Sequence, residues 1–98
     1  MDTLKEISNE IVNLIDPQKI ILFSHKTSQL GTTTSFKLCV VTKTNEKSKV
    51  EHDIYFNICC DIPFDVIVYT PTEWETLKAD EQSFAHNLDL KGRVLYER

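Results

Sequence analysis

The sequence predicts an α/β or α+β domain: a mixed sheet of about four strands with helices packed on it, in the order αββαβααβ. Three observations carry this prediction. Apolar residues recur at helical spacing near the N-terminus, short β-rich apolar runs alternate with helical stretches, and the first strand passes to the second with no helical pattern between them. The 98 residues are read as one domain, 1–98, because a chain this long buries only about 60–65% of its extended surface and cannot divide that between two cores.

Leu4, Ile7, Ile11, Leu14 and Ile15 set the period of a first helix over 4–15, with Thr3 and Glu6 in capping-box spacing at its start. Asp16 and Pro17 stop it. Lys19-Ile20-Ile21-Leu22-Phe23 is a nearly continuous apolar run and predicts a buried strand ending at Phe23. A small, polar stretch with Gly31 follows, and Phe36-Lys37-Leu38-Cys39-Val40-Val41 reads as the second strand.

Thr44 to Lys49 is a charged turn, after which Val50, Ile54, Tyr55 and Ile58 give the inward face of a helix reaching Cys60. Phe64-Asp65-Val66-Ile67-Val68-Tyr69 is the clearest strand. Thr70, Pro71 and Glu73 then stand in N-cap, N1 and N3 order and open a helix over 71–79. Ser83 to Lys91 predicts a shorter helix with Phe84, Leu88 and Leu90 inward and Gly92 at C′, followed by a last strand, Arg93-Val94-Leu95-Tyr96-Glu97.

Fifteen acidic and eleven basic residues leave a formal charge of −4, the sign that repels a phosphate backbone, so a general nucleic-acid coat is excluded. No apolar run reaches membrane-spanning length, and the N-terminal residues are acidic where a signal peptide would be basic and then apolar, which predicts a cytoplasmic protein with no membrane partner. Three cysteines, Cys39 and the adjacent Cys59 and Cys60, argue for reduced, buried thiols. Neither they nor His25, His52 and His86 stand in zinc-ligand spacing.

Four segments together resemble a known family. The run 19–23, the strand ending Leu38-Cys39-Val40-Val41, the strand-plus-Thr-Pro element 64–71 and the terminal Gly92-Arg93-Val94-Leu95-Tyr96-Glu97 look like the minimal nucleotidyltransferase domains of the DNA polymerase β superfamily. The similarity covers almost the whole chain. It implies the palm-like nucleotidyltransferase fold and, in active members, transfer of a nucleotidyl group from a nucleoside triphosphate on two magnesium ions. Those ions are held by an Asp-x-Asp pair on one strand and a third aspartate on its neighbour, since alternate strand residues share a face and Mg²⁺ requires hard oxygen ligands. A Gly-Ser pair after the first strand lets the backbone approach the phosphates near a helix N-terminus.

Carried over residue by residue, the motif is largely missing. Ser24-His25 stands where the family has Gly-Ser, and Ser35-Phe36-Lys37 stands where it has Asp-x-Asp; only the third position survives, as Asp65. No aspartate or glutamate occurs between Pro17 and Asn45, so no slip of the alignment restores the pair. Ser24, His25, Ser35, Lys37 and Asp65 thus form a vestigial active site, with no catalytic residue and with Mg²⁺ lost as a cofactor. Two readings of Lys37 stay open: it pairs with Asp65 across adjacent strands, neutralising a buried carboxylate, or its stem snorkels to solvent.

Ser24, Lys26, Thr27 and Ser28 are candidate nucleotide-binding residues that could still hydrogen-bond phosphates at a helix N-terminus. A Ser24/His25/Asp65 triad is disfavoured, because adjacent strand residues point to opposite faces. Glu51-His52-Asp53 occupies consecutive helical positions about 100° apart and reads as a solvated face. Tyr69 and Trp74 read as core or rim packing. The expectation is a catalytically degenerate, non-enzymatic binding or regulatory module; by resemblance, small members of this family look like antitoxin partners of helical HEPN toxins. A homodimer covering an open sheet edge is the other partner expected, unless charges such as Arg93, Glu97 and Arg98 protect that edge. The alternative function is an active Mg²⁺-dependent nucleotidyltransferase with carboxylates from Asp61, Glu51 or a second subunit.

Overall fold

The computed structural model describes residues 3–58 and 61–98. The elements are α1 (Thr3–Ile15), β1 (Lys19–Thr27), β2 (Thr33–Val41), α2 (Lys47–Asn57), β3 (Phe64–Tyr69), α3 (Pro71–Lys78), α4 (Phe84–Lys91) and β4 (Arg93–Glu97). The four strands form one sheet in the order β3-β2-β1-β4. β1 runs antiparallel to both β2 and β4, whereas β2 and β3 are parallel, so the sheet is mixed, as the direct β1–β2 connection implies.

Both faces of the sheet are covered, which is why its central strands read as unbroken apolar runs. On one face Ile20, Leu22, Phe36, Leu38, Val40, Val66 and Val68 pack with Leu4, Ile7 and Ile11 of α1 and Ile54 of α2. On the other, Ile21, Cys39 and Val41 meet Trp74 of α3 and Ala85 and Leu88 of α4. Trp74 is a core residue, with Tyr69 tilted against it at 5.9 Å between ring centroids. The α3 start is as expected: Thr70 Oγ1 accepts from the Glu73 amide, and the Glu73 carboxylate accepts from the Thr70 amide.

Several boundaries differ from expectation, each for a local reason. β1 runs four residues past Phe23 and β2 begins three residues before Phe36, because the polar residues there pair with one another while burying little. α2 starts at Lys47 and ends at Asn57, with Ile58 as its extended C-cap; Thr44 to Glu46 precede the helix as expected, whereas Lys47 to Lys49 form its first turn. Tyr55 lies on the exposed side of α2 and Leu90 is 67% exposed on α4, so neither belongs to the core. The Cys59 and Cys60 thiols and the Thr3 side chain of the expected capping box lie outside the described residues.

Gly92 caps α4 with φ −73° and ψ 158°, an extended backbone open to any residue, so a left-handed C′ turn is not what requires glycine. The requirement is space. A Cβ at this position would lie 2.4 Å from Ile21 Cγ2 and 2.6 Å from the Leu88 carbonyl oxygen, where β4 turns in against β1. Gly92→Ala is therefore expected to destabilise the fold by about 1–3 kcal/mol, measured as a lower urea midpoint with an unchanged slope.

Cys39 is fully buried on the central strand, and burial pushes its thiol up to about 12, against a smaller opposing pull from the Lys19 charge. Because the folded thiol holds its proton more tightly than the unfolded one, its contribution to stability is complete below the ordinary value of 9.0 and is lost as pH rises toward 12. Native protein treated with iodoacetamide at about pH 8.5 should carry no label on Cys39 by peptide mass mapping, and full label once unfolded in urea.

Candidate functional site

The register of the sheet positions the candidate residues. β1 pairs with β2 through Leu22↔Leu38 and then Ser24↔Lys37, leaving Phe23 as a bulge residue. The extra residue lets Phe23 meet the Phe84 ring edge-on at 5.4 Å and sets Ser24 directly beside Lys37. On the other side of β2 the parallel register pairs Lys37 with Asp65. Ser24, Lys37 and Asp65 therefore form one row across three strands.

Alternation places the rest. Ser35 shares the face of Lys37, and Lys26, paired with Ser35, shares that of Ser24. Ser24 and Ser35 are half-buried, while Lys26, Lys37 and Asp65 are exposed. The same face carries α3 and α4 farther along, where Cys39 and Val41 are covered, so the row lies where that cover ends. His25 pairs with Phe36 in the neighbouring position, and its Nε2 lies 2.8 Å from Thr33 Oγ1. It belongs to the opposite face from Ser24, which removes the geometry a triad needs.

The expected helix N-terminus beside Ser24 has no counterpart, since Ser24, Lys26 and Thr27 are strand residues and the next helix follows β2. Ser28 is engaged in the turn: its Oγ accepts from the Leu30 amide at 3.3 Å and the Thr32 amide at 3.2 Å, while its own amide donates to the Thr32 carbonyl. Gly31 makes that turn with φ +84°, a conformation that favours glycine. The four candidate phosphate ligands are thus spread along a ribbon and not gathered around a helix end.

Asp65 is exposed, which corrects the expectation of a buried carboxylate needing neutralisation. Ion pairs among the described residues join Lys19 to Glu97, Lys47 to Glu73, Lys78 to Glu75 and Arg98 to Asp16; none joins Lys37 to Asp65. Proximity by register and exposure together describe a lysine whose head reaches water. The donor set does not fit the two magnesium ions of active nucleotidyltransferases, because the row offers one carboxylate, one hydroxyl and one ammonium. Among the described residues no three histidine, cysteine, aspartate or glutamate side chains gather as a metal site.

Tyr55 was not legible as a site neighbour. Its hydroxyl accepts a 2.7 Å hydrogen bond from the Val66 amide at the outer edge of β3, one residue from Asp65. Burial raises the Tyr55 pKa, the Val66 hydrogen bond opposes this, and the charges of Asp65 and Glu51 add to the rise. Glu51 is half-buried on α2 and Asp61 exposed before β3, while His52 stacks on Phe56 at 5.9 Å. A separate cavity of about 350 Å³ at the start of β1 is lined by Lys19, Trp74, Glu75, Lys78, Glu97 and Arg98, whose charges are already paired.

No family model matches the chain, nor does any curated protein or solved structure. Among the described residues no helix is long and apolar enough to cross a membrane. Replacing Lys37 by methionine is expected to change unfolding free energy by less than about 0.5 kcal/mol in urea denaturation, as for a solvated side chain.

Proposed function

We propose that this chain is a catalytically degenerate nucleotidyltransferase-fold protein acting in the cytoplasm as a non-enzymatic binding or regulatory module, antitoxin-like in partnering a small helical protein of the HEPN kind. The observation that supports the reading is the row Ser24–Lys37–Asp65 across β1, β2 and β3. On the family resemblance, the positions of Lys37 and Ser35 are those of the metal-binding pair, and they share the face of Asp65. An ammonium beside the one remaining carboxylate repels a divalent ion: two like charges at about 4 Å interact by roughly 4 kcal/mol at an effective dielectric near 20. Nucleotide binding without metal remains compatible with the exposed hydroxyls of the ribbon.

Metal titration with a restored site tests this. Wild-type protein is expected to show no saturable heat with Mn²⁺ or with Mg²⁺ and ATP, whereas the double variant Ser35→Asp, Lys37→Asp, which completes three carboxylates with Asp65, should bind Mn²⁺ with sub-millimolar affinity. Saturable metal binding by the wild type would refute the degenerate reading. Incorporation of label from ATP by the wild type would favour the active alternative, with Asp61, Glu51 or a second subunit supplying ligands.

A further inference from the structure

β1 and β2 project beyond the rest of the sheet. Pairing with β4 reaches no farther than Leu22, and pairing with β3 starts at Phe36, so Lys26–Thr27 and Thr33–Ser35 have only each other. The two strands and their turn form an arm from Lys26 to Ser35, and none of its residues belongs to either core cluster. A free two-stranded ribbon is marginal by itself. This one is braced by the Ser28 hydroxyl at the turn, by His25 against Thr33 and by a 3.2 Å bond from Thr34 Oγ1 to the Lys26 carbonyl. At its tip Leu30 is 93% exposed.

The arm also differs in charge from the body. All fifteen carboxylates lie outside residues 17–45, and the one charge of the arm itself is that of Lys26. The complementary surface is on the same chain. Between α1 and α2 a groove of about 280 Å³ is lined by Leu14 and Ile58, with Asn13 and Asn57 beside them and Glu10 at its rim. Glu6 and Glu10 precede Leu14 at four-residue spacing on the exposed side of α1, which makes this face acidic around an apolar floor.

We infer that the arm of one molecule docks into the α1–α2 groove of a second copy, with Leu30 on the Leu14–Ile58 floor and Lys26 toward Glu10. A bare leucine at the tip suits an apolar groove and has no use on a phosphate backbone, which the single lysine of the arm would track only weakly. The groove volume falls just below the roughly 300–1,000 Å³ that takes whole small ligands, ample for one side chain. Arm and groove are different surfaces, so one contact leaves a second arm and a second groove free, which either exchange reciprocally in a two-fold dimer or propagate into chains and rings. An arm tip covers much less than the roughly 1,600 Å² of a standard stable interface, so the association is weak and needs high concentration. The inference stands independently of the nucleotidyltransferase reading.

Sedimentation velocity tests it. The wild-type average mass should rise steadily between about 20 µM and 1 mM, and less so when salt is raised from about 50 to 500 mM. Leu30→Asp, which kills only the arm, and Leu14→Asp, which kills only the groove, should each lower the association constant about tenfold or more; both sites are exposed, and circular dichroism confirms folding. Mixed together, these two variants should form a 1:1 complex and nothing larger, because one intact arm meets one intact groove. Lys26→Glu should weaken association, and adding Glu10→Lys in the same chain should restore it. A wild type that stays monomeric to about 1 mM, loss with only one of the two variants, or variants that fail to complement would each overturn the proposal.

Discussion

The position of β2 between two parallel-facing constraints governs the molecule. Phe36, Leu38 and Val40 are buried against α1 and α2, and Cys39 and Val41 against α3 and α4, so half of this strand has no solvated face. Lys37 is the exception, and its charge sets the register. A slip of one residue would carry it to the face of Phe36 and Leu38, and an unpaired ammonium there costs several kcal/mol. Hydrophobic burial supplies most of the stability of the sheet; the lysine decides which of two opposite faces each residue takes. Ser24 and Asp65 then follow, because they are its lateral neighbours.

That logic also separates what was legible in the sequence from what was not. Strands with a dense apolar pattern announce themselves: β3 and β4 appear at their observed bounds, and α3 is marked by Thr70, Pro71 and Glu73. Elements held by backbone pairing alone do not. Residues 24–27 and 33–35 are strand because each supplies the other's hydrogen bonds, and polar side chains on a ribbon exposed on both sides carry no alternation to detect. α2 shows a third case, where Ile58 keeps the helical period after the helix has ended and so draws the predicted boundary too far along. Gly92 stands out in the sequence as a helix-ending glycine, but its backbone is extended and the neighbour that requires it, Ile21, lies across the sheet.

For the candidate site, identity was legible and arrangement only in part. That residues 17–45 hold no carboxylate is a matter of composition, visible without any structure. The bulge at Phe23 is not, and its ring partner Phe84 lies on a helix sixty residues later. Without that bulge Ser24 would sit one position along and on the other face. Net charge was equally incomplete as a guide, because a total of −4 conceals a segment in which every charged residue is positive.

On the proposed reading, the row has a simple electrostatic consequence. Three carboxylates on adjacent positions of one sheet face repel one another and hold together at neutral pH only with cations among them, which makes such a site both a metal trap and a source of strain when empty. Ser35, Lys37 and Asp65 in those places sum to no net charge. They leave Ser24 and Ser35 half-buried at the point where the helical cover ends, and they ask nothing of an ion. A sheet relieved of that demand is free to keep the fold while its polar face serves contact with other molecules, and the absence of acidic residues along the whole β1–β2 segment extends the same change of sign out to the arm.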